Sequence, residues 1–258
     1  MERDIFLKKY LERIGIEGEL HLDLETLKKL QKQHLINIPF ENLDIIENKE
    51  LKLDRYSLFT KIVEEKRGGI CYELNGLFLM LLKEIGYDVK YISGRIREEG
   101  TDLDHVLLLV NIDDEKYIVD VGFKDNYLYP IKIVLNLIQE NYRNKYKINK
   151  IDDDRYQLIK IVGVEEAILY TFTIEEKNLS DFEERCKYFE TTPNTYFTNN
   201  PFMAIEREDG KIFITDKKMT ITKGDNIETK EIKSKDEFYF YLNELFKIRW
   251  PIYRSFYI

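Results

Sequence analysis

The 258-residue sequence predicts an α+β protein. Two observations carry this: apolar residues recur at helical spacing up to about residue 87, and the period then shortens to two through a series of strands. Phe6, Leu7, Tyr10, Leu11 and Ile14 mark a first helix, and Leu24, Leu27 and Leu30 a second behind the capping residue Asp23. Pro39 closes that helix by forcing Ile38 into an extended conformation. A third helix starts near Asp54, carries Leu58, Phe59, Ile62 and Val63 on one face, and is expected to stop at Gly68-Gly69. A fourth runs from about Cys71 to Glu84 and ends at Gly86.

Strands are predicted at Val89–Ser93, His105–Ile112, Tyr117–Val121, Tyr156–Val162 and Ala167–Ile174, separated by charged turns such as Asn111–Lys116. Several strands in succession favour a barrel or sandwich over an α/β sheet. A connecting helix covers 179 to 192, a hairpin from Met203 to Thr215 turns at Glu208-Asp-Gly210, and a last amphipathic helix carries Phe238, Tyr241, Leu242, Leu245 and Phe246.

Forty Lys and Arg against 48 Asp and Glu leave a formal charge of −8, which argues against a nucleic-acid surface. Hydrophobic residues at 43% are too many for a disordered chain. The longest apolar run, Leu77–Leu82, is far below the ~20 residues of a membrane span. The charged, amphipathic N-terminus lacks the pattern of a secretory signal. With Cys71 and Cys186 in unrelated contexts, the expectation is free thiols in a reducing cytoplasm. Three histidines and no Cys-x-x-Cys or His-x-x-x-His pair give no expectation of a metal site.

The chemistry concentrates in Arg67-Gly-Gly-Ile-Cys-Tyr-Glu-Leu-Asn75. Gly68 and Gly69 allow a tight turn before a helix, and Cys71 at the helix start meets free N–H groups and a macrodipole that favour a thiolate. Taken alone, the segment is equally a helix start with a buried structural cysteine. His105 opens a strand, and Asp120 closes the next one within Val119-Asp-Val-Gly-Phe123. Adjacent antiparallel strands would bring imidazole and carboxylate together, so a Cys-His-Asp triad outweighs a satisfied edge histidine and a turn-forming aspartate. His21 and His34 read as solvated helix residues, and Cys186 as a bystander thiol.

Arg67-Gly-Gly-x-Cys71-x-Glu-x-Asn75, His105 and Asp120-Val-Gly-Phe123, with Pro39-Phe-Glu-Asn42 upstream and Thr192-Pro193 through Phe197 downstream, together resemble the arylamine N-acetyltransferase family. The resemblance implies a helical bundle over 1–87 carrying Cys71 and a β-barrel over 88–178 carrying His105 and Asp120. It further implies an interdomain helix and linker over 179–202 and an α/β lid over 203–258. The catalytic core would be cysteine-protease-like, with Cys71, His105 and Asp120 as catalytic residues. Acetyl-CoA would be a co-substrate rather than a permanently bound cofactor, small aromatic amines the acceptors, and xenobiotic metabolism the setting. Phe40 and Phe123 are carried over as pocket walls. Arg67, Gly68, Gly69, Glu73 and Asn75 are expected to support the loop. Lys124 departs from the pattern, since the family usually continues Asp-Val-Gly-Phe-Gly, and it is expected at the pocket mouth or in solvent.

The implied mechanism is ping-pong: Cys71 takes the acetyl group and then yields it to an uncharged amine, with His105 moving the proton. A cysteine hydrolase or transglutaminase-like enzyme would use the same triad, and a catalytically dead relative acting as a binding module is the second alternative. No residue reads as a cradle for the CoA phosphates.

Overall fold

The computed structural model describes residues 1–248 and 250. Its elements run α1 (Arg3–Ile14), α2 (Leu24–Asn37), β1 (Phe40–Glu41), α3 (Leu43–Ile46), α4 (Arg55–Phe59) and α5 (Cys71–Ile85). Then follow β2 (Asp88–Arg95), β3 (His105–Ile112), β4 (Glu115–Val119), β5 (Ile131–Lys132), β6 (Gln139–Asn141), β7 (Asn144–Lys150), β8 (Arg155–Val162) and β9 (Glu165–Thr173). The chain continues through α6 (Glu183–Thr191), α7 (Tyr196–Asn199), β10 (Phe202–Arg207), β11 (Gly210–Thr215), β12 (Lys218–Lys223), β13 (Asn226–Glu231) and α8 (Lys235–Phe246).

The helices form where caps and stripes coincide. Asp23 accepts from the Thr26 N–H at 2.8 Å to start α2, and Asp54 accepts from Tyr56 and Ser57 to start α4. Phe6, Tyr10 and Ile14, spaced by four, bury one face of α1. Helix α5 is buried on nearly every side, so it is the axis around which the N-terminal part packs. The helix begun at Asp54 does not reach the glycines: after Phe59 it widens into a π turn, Thr60–Glu64, and stops where Lys66 takes a left-handed φ of 56°.

Strands β5-β4-β3-β2-β9-β8-β7-β6 make one eight-stranded antiparallel sheet. Its two edges meet through the Gln139 side chain, which accepts from the Lys132 N–H and donates to the Lys132 carbonyl, so the sheet curls into a nearly closed barrel. Strand β3 is apolar from Val106 to Val110 because both faces are covered there. Val106, Leu108 and Val110 pack into the core around α5, while Leu107 and Leu109 join Ile118, Tyr146, Leu158 and Phe172 inside the barrel. A second sheet, β1-β10-β11-β12-β13, packs with α8 around Met203, Ile214, Phe238 and Leu242. The C-terminal expectation to residue 258 extends past the described residues at 249 and 251–258.

Three further findings differ from the sequence reading. Strands β5, β6 and β7 lie outside the expected set: β5 and β6 are too short to show a period, and β7 has only Tyr146 and Ile148 as apolar positions among polar neighbours. Phe40–Glu41 adds a strand to the C-terminal sheet by pairing with Ala204 and Met203. His34 is not solvated: it is fully buried, with Nδ1 2.9 Å from the Tyr10 hydroxyl and its ring against Phe78. It lies on the inward stripe of α2 with Leu27 and Leu30, and its polar tip is met by the tyrosine. His21 is exposed, as expected, and Cys186 is a buried free thiol, pushed up by burial.

Candidate active site

Cys71 is the first residue of α5, after Ile70 in extended geometry. The preceding glycines work differently from the sequence expectation. Neither has a positive φ; what they supply is space, since a Cβ on Gly68 would lie 1.9 Å from the Pro39 carbonyl oxygen. The backbone ahead of Cys71 therefore presses against the segment leading into β1, and the Glu41 N–H donates to the Gly69 carbonyl at 3.0 Å. Arg67 donates through Nε and a terminal nitrogen to Glu41 Oε1 at 3.0 and 2.8 Å. Glu73 accepts from the Ile70 N–H at 3.0 Å, which closes the helix start.

His105 begins β3, and the ladder that sets Leu108 opposite Val119 carries Asp120, one residue beyond β4, back toward it. His105 Nε2 lies 2.6 Å from Asp120 Oδ2, with the two side chains 2% and 0% exposed. A carboxylate so buried costs several kcal/mol unless it is fully bonded, and Asp120 Oδ1 also accepts from Asn75 Nδ2 and from the Gly122 N–H, both at 2.9 Å. Asn75 has a wider role than the loop support expected of it. Its amide nitrogen also donates to the Val106 carbonyl and its oxygen accepts from the Val121 N–H, so one turn of α5 pins both barrel strands.

Burial lowers the basicity of His105, but Asp120 and, after it, the neighbouring Cys71 more than reverse this, and its pKa is raised to about 10. With Nε2 engaged by Asp120, Nδ1 is the nitrogen left for the sulfur. The imidazole packs in a three-ring cluster with Phe123 and Tyr170, each with its ring centroid 5.4 Å away and 5.6 Å from the other.

Cys71 and His105 open on a cleft of about 630 Å³. Phe40, Phe123 and Lys124 line it, as do Phe189, Tyr196 and Phe197, which the sequence reading had not assigned to a pocket. Phe40 also packs against Phe197 and Phe202, so it is both wall and core. Lys124 is half-buried along the cleft, with its ammonium 5.6 Å from the Tyr196 ring centroid. Arg185, for which the sequence holds no signal, reaches from α6 to donate to Asp104 at 2.6 Å beside His105. Among the described residues, no group of three or more His, Cys, Asp or Glu is arranged to hold a metal ion, and no helix is long and apolar enough to cross a membrane.

Comparison with known proteins extends these findings. A family profile described as N-acetyltransferase matches residues 23–253. The arylamine N-acetyltransferase of Mycolicibacterium smegmatis is 35% identical over 212 residues, 78% of this chain and 77% of that protein. The structure of arylamine N-acetyltransferase from Salmonella typhimurium superposes with a TM-score of 0.90 at 26% identity, covering 97% of this chain and 93% of the other. The Mycobacterium marinum enzyme, solved in complex with CoA, superposes with a TM-score of 0.88 at 26% identity over 94% of this chain and 93% of that one. Profile, sequence and fold agree along nearly the whole length, and the chain is accordingly an acyltransferase belonging to the arylamine N-acetyltransferase family.

Proposed function

We propose that this enzyme moves the acetyl group of acetyl-CoA to the nitrogen of arylamines, and of arylhydrazines, through an acetyl-Cys71 intermediate. The observation that carries the reading is the buried His105–Asp120 contact of 2.6 Å, with Cys71 and the same imidazole lining one aromatic cleft. His105 takes the Cys71 proton, and the sulfur attacks the thioester carbonyl. N–H groups at the start of α5 stabilise the oxyanion, as they do for any anion at a helix N-terminus. The carbon–sulfur bond to CoA breaks, and the departing thiolate takes the proton from His105. An uncharged amine then attacks the acetyl carbon, the bond to Cys71 breaks, and the amine proton passes to His105. Asp120 orients the ring and stabilises the imidazolium without carrying the proton itself. Phe40, Phe123, Tyr196 and Phe197 suit a flat aromatic acceptor, and the CoA bound by the Mycobacterium marinum relative supports the donor.

The test is to incubate the enzyme with acetyl-CoA alone and map the acetyl group. One acetyl on Cys71, released as N-acetylarylamine when aniline is added, is the expected result, with parallel double-reciprocal plots. Cys71→Ala loses this chemistry and Cys186→Ala keeps it. Intersecting plots with no burst of CoA before the amine arrives would mean direct transfer in a ternary complex. Release of acetate, with no acetylated amine, would favour the hydrolase alternative.

A further inference from the structure

Behind the nucleophile lies a connected set of buried charges, and one member, Lys61, was not foreseen from the sequence. It sits in the π turn Thr60–Glu64, where π geometry, often found at functional sites, replaces the regular helix. Its side chain is only 13% exposed, with Nζ 2.7 Å from Glu73 Oε1 and 2.7 Å from Asp44 Oδ2. The other Glu73 oxygen accepts from the N–H of Ile70, the residue before Cys71. Asp44 Oδ1 is 3.1 Å from Arg67, and the Lys61 carbonyl accepts from the Arg67 N–H at 3.0 Å. One ammonium group thus touches the partners of both ends of the glycine loop, Arg67 before it and Glu73 after it.

We infer that Lys61 is a positioning residue for Cys71: its ammonium holds Glu73 as a carboxylate on the Ile70 N–H and, through Asp44, braces Arg67 at the other end of the loop. The inference rests on the reading of Cys71 as the acetyl carrier. Burial pushes the Glu73 carboxyl up, and Lys61 opposes that. Glu73 also faces Glu41 from β1, which pushes the same way as burial, and the Cys186 thiol from α6. Lys61 is the cation that contacts it among the described residues. Without that charge nothing comparable opposes the burial of Glu73, its carboxyl is pushed further up, and the loop loses a brace at both ends.

The experiment follows the alkylation of Cys71 by iodoacetamide against pH, resolved by peptide so that Cys186 does not contribute. Wild type, Lys61→Met and Lys61→Met/Glu73→Gln are compared at equal folded fraction. Lys61→Met should react at least about tenfold more slowly at pH 7, the scale of losing an outer partner of a reactive group, and should gain an inflection from Glu73. The double variant has no buried carboxylate at residue 73, and its amide oxygen can still accept from the Ile70 N–H. It should lose the inflection and react several-fold faster than Lys61→Met, the deficit that remains against wild type being that of the lost Lys61–Asp44 contact. A wild-type profile for Lys61→Met, or an inflection that persists in the double variant, overturns the proposal. If Lys61→Met does not fold, the double variant decides: recovered reactivity supports charge balance, and an unreactive or unfolded double variant refutes it. Absence of acetyl-Cys71 in the wild type would remove the proposed function instead, leaving the alkylation comparison intact.

Discussion

Gly122 lies against Cys71 so closely that a Cβ there would stand 2.6 Å from the Cys71 Cα and 2.8 Å from Asn75 Nδ2. The loop carrying Asp120 and the start of α5 are thus in backbone contact, and the site depends on a missing side chain. Gly122→Ala must push β4 and α5 apart. The expected result is a destabilisation of about 1–3 kcal/mol, typical of overpacking. A larger loss of kcat should accompany it, since a shift of about 1 Å in a reacting geometry costs about 100-fold. Thermal melting and acetyl-Cys71 formation by the folded variant check both, and a fully active Gly122→Ala would show that the loop yields.

Asp120→Asn removes the charge that keeps His105 protonated while leaving a side chain of the same size. Asp120 raises the imidazole against the opposing effect of burial, so in the variant burial prevails and His105 is neutral at pH 7. Cys71 then becomes alkylatable only at higher pH, and acetylation slows by about 100-fold or more, the range of a lost acid–base partner. An alkylation profile superimposable on the wild type would dissociate Asp120 from the sulfur.

How much of this was legible in the sequence follows from the range of each interaction. Cys71, His105 and Asp120 were readable because each sits at the boundary of an element whose period is strong: the start of α5, the start of β3 and the end of β4. The partners of Asn75 were not, because a side chain that bonds Val106, Asp120 and Val121 at once reveals nothing within its own helix. Lys61 was hidden for a related reason, since its two carboxylates come from different elements and the π turn that aims it has no sequence period. The pair Gly68-Gly69 is conspicuous in the sequence as a source of backbone freedom, whereas the structure uses its lack of a Cβ.

His34 makes a prediction about acid stability. Burial, followed by repulsion from Arg13, lowers its pKa to about 3 from the usual 6.5. Between those values the unfolded chain binds the proton that the folded protein refuses. Stability is therefore full above about pH 6.5 and falls as pH drops toward 3, by up to ~1.4 kcal/mol per pH unit. His34→Gln can keep a partner for the Tyr10 hydroxyl without titrating. Its urea midpoint should fall less steeply from pH 6.5 to 4 than that of the wild type. Identical slopes would assign the acid sensitivity to other groups.

Lys124 stands where the family resemblance expects glycine, and its surroundings favour the rim of the cleft over open solvent. The ammonium lies 5.6 Å from the centroid of Tyr196, a contact worth about 0.5–1 kcal/mol when exposed. Its backbone is tied down as well: the Lys211 ammonium bonds the Lys124 carbonyl and lies 2.9 Å from Asp125. The stem therefore leaves the chain from a fixed point on the cleft wall, and the charge remains near the entering acceptor. A carboxylate on that acceptor gains from the cation roughly what a surface ion pair gives, up to ~1 kcal/mol, or about fivefold in kcat/KM. Lys124→Gly should thus lower kcat/KM for 4-aminobenzoate about fivefold and leave aniline nearly unchanged. It should raise turnover of a bulky arylhydrazide, because the stem no longer narrows the mouth. Measuring all three acceptors separates charge from bulk: a parallel loss on every substrate means a displaced Phe123 wall, and ratios all within about twofold of wild type, well short of the tenfold that ~1.4 kcal/mol represents, mean that the lysine swings clear of the acceptor.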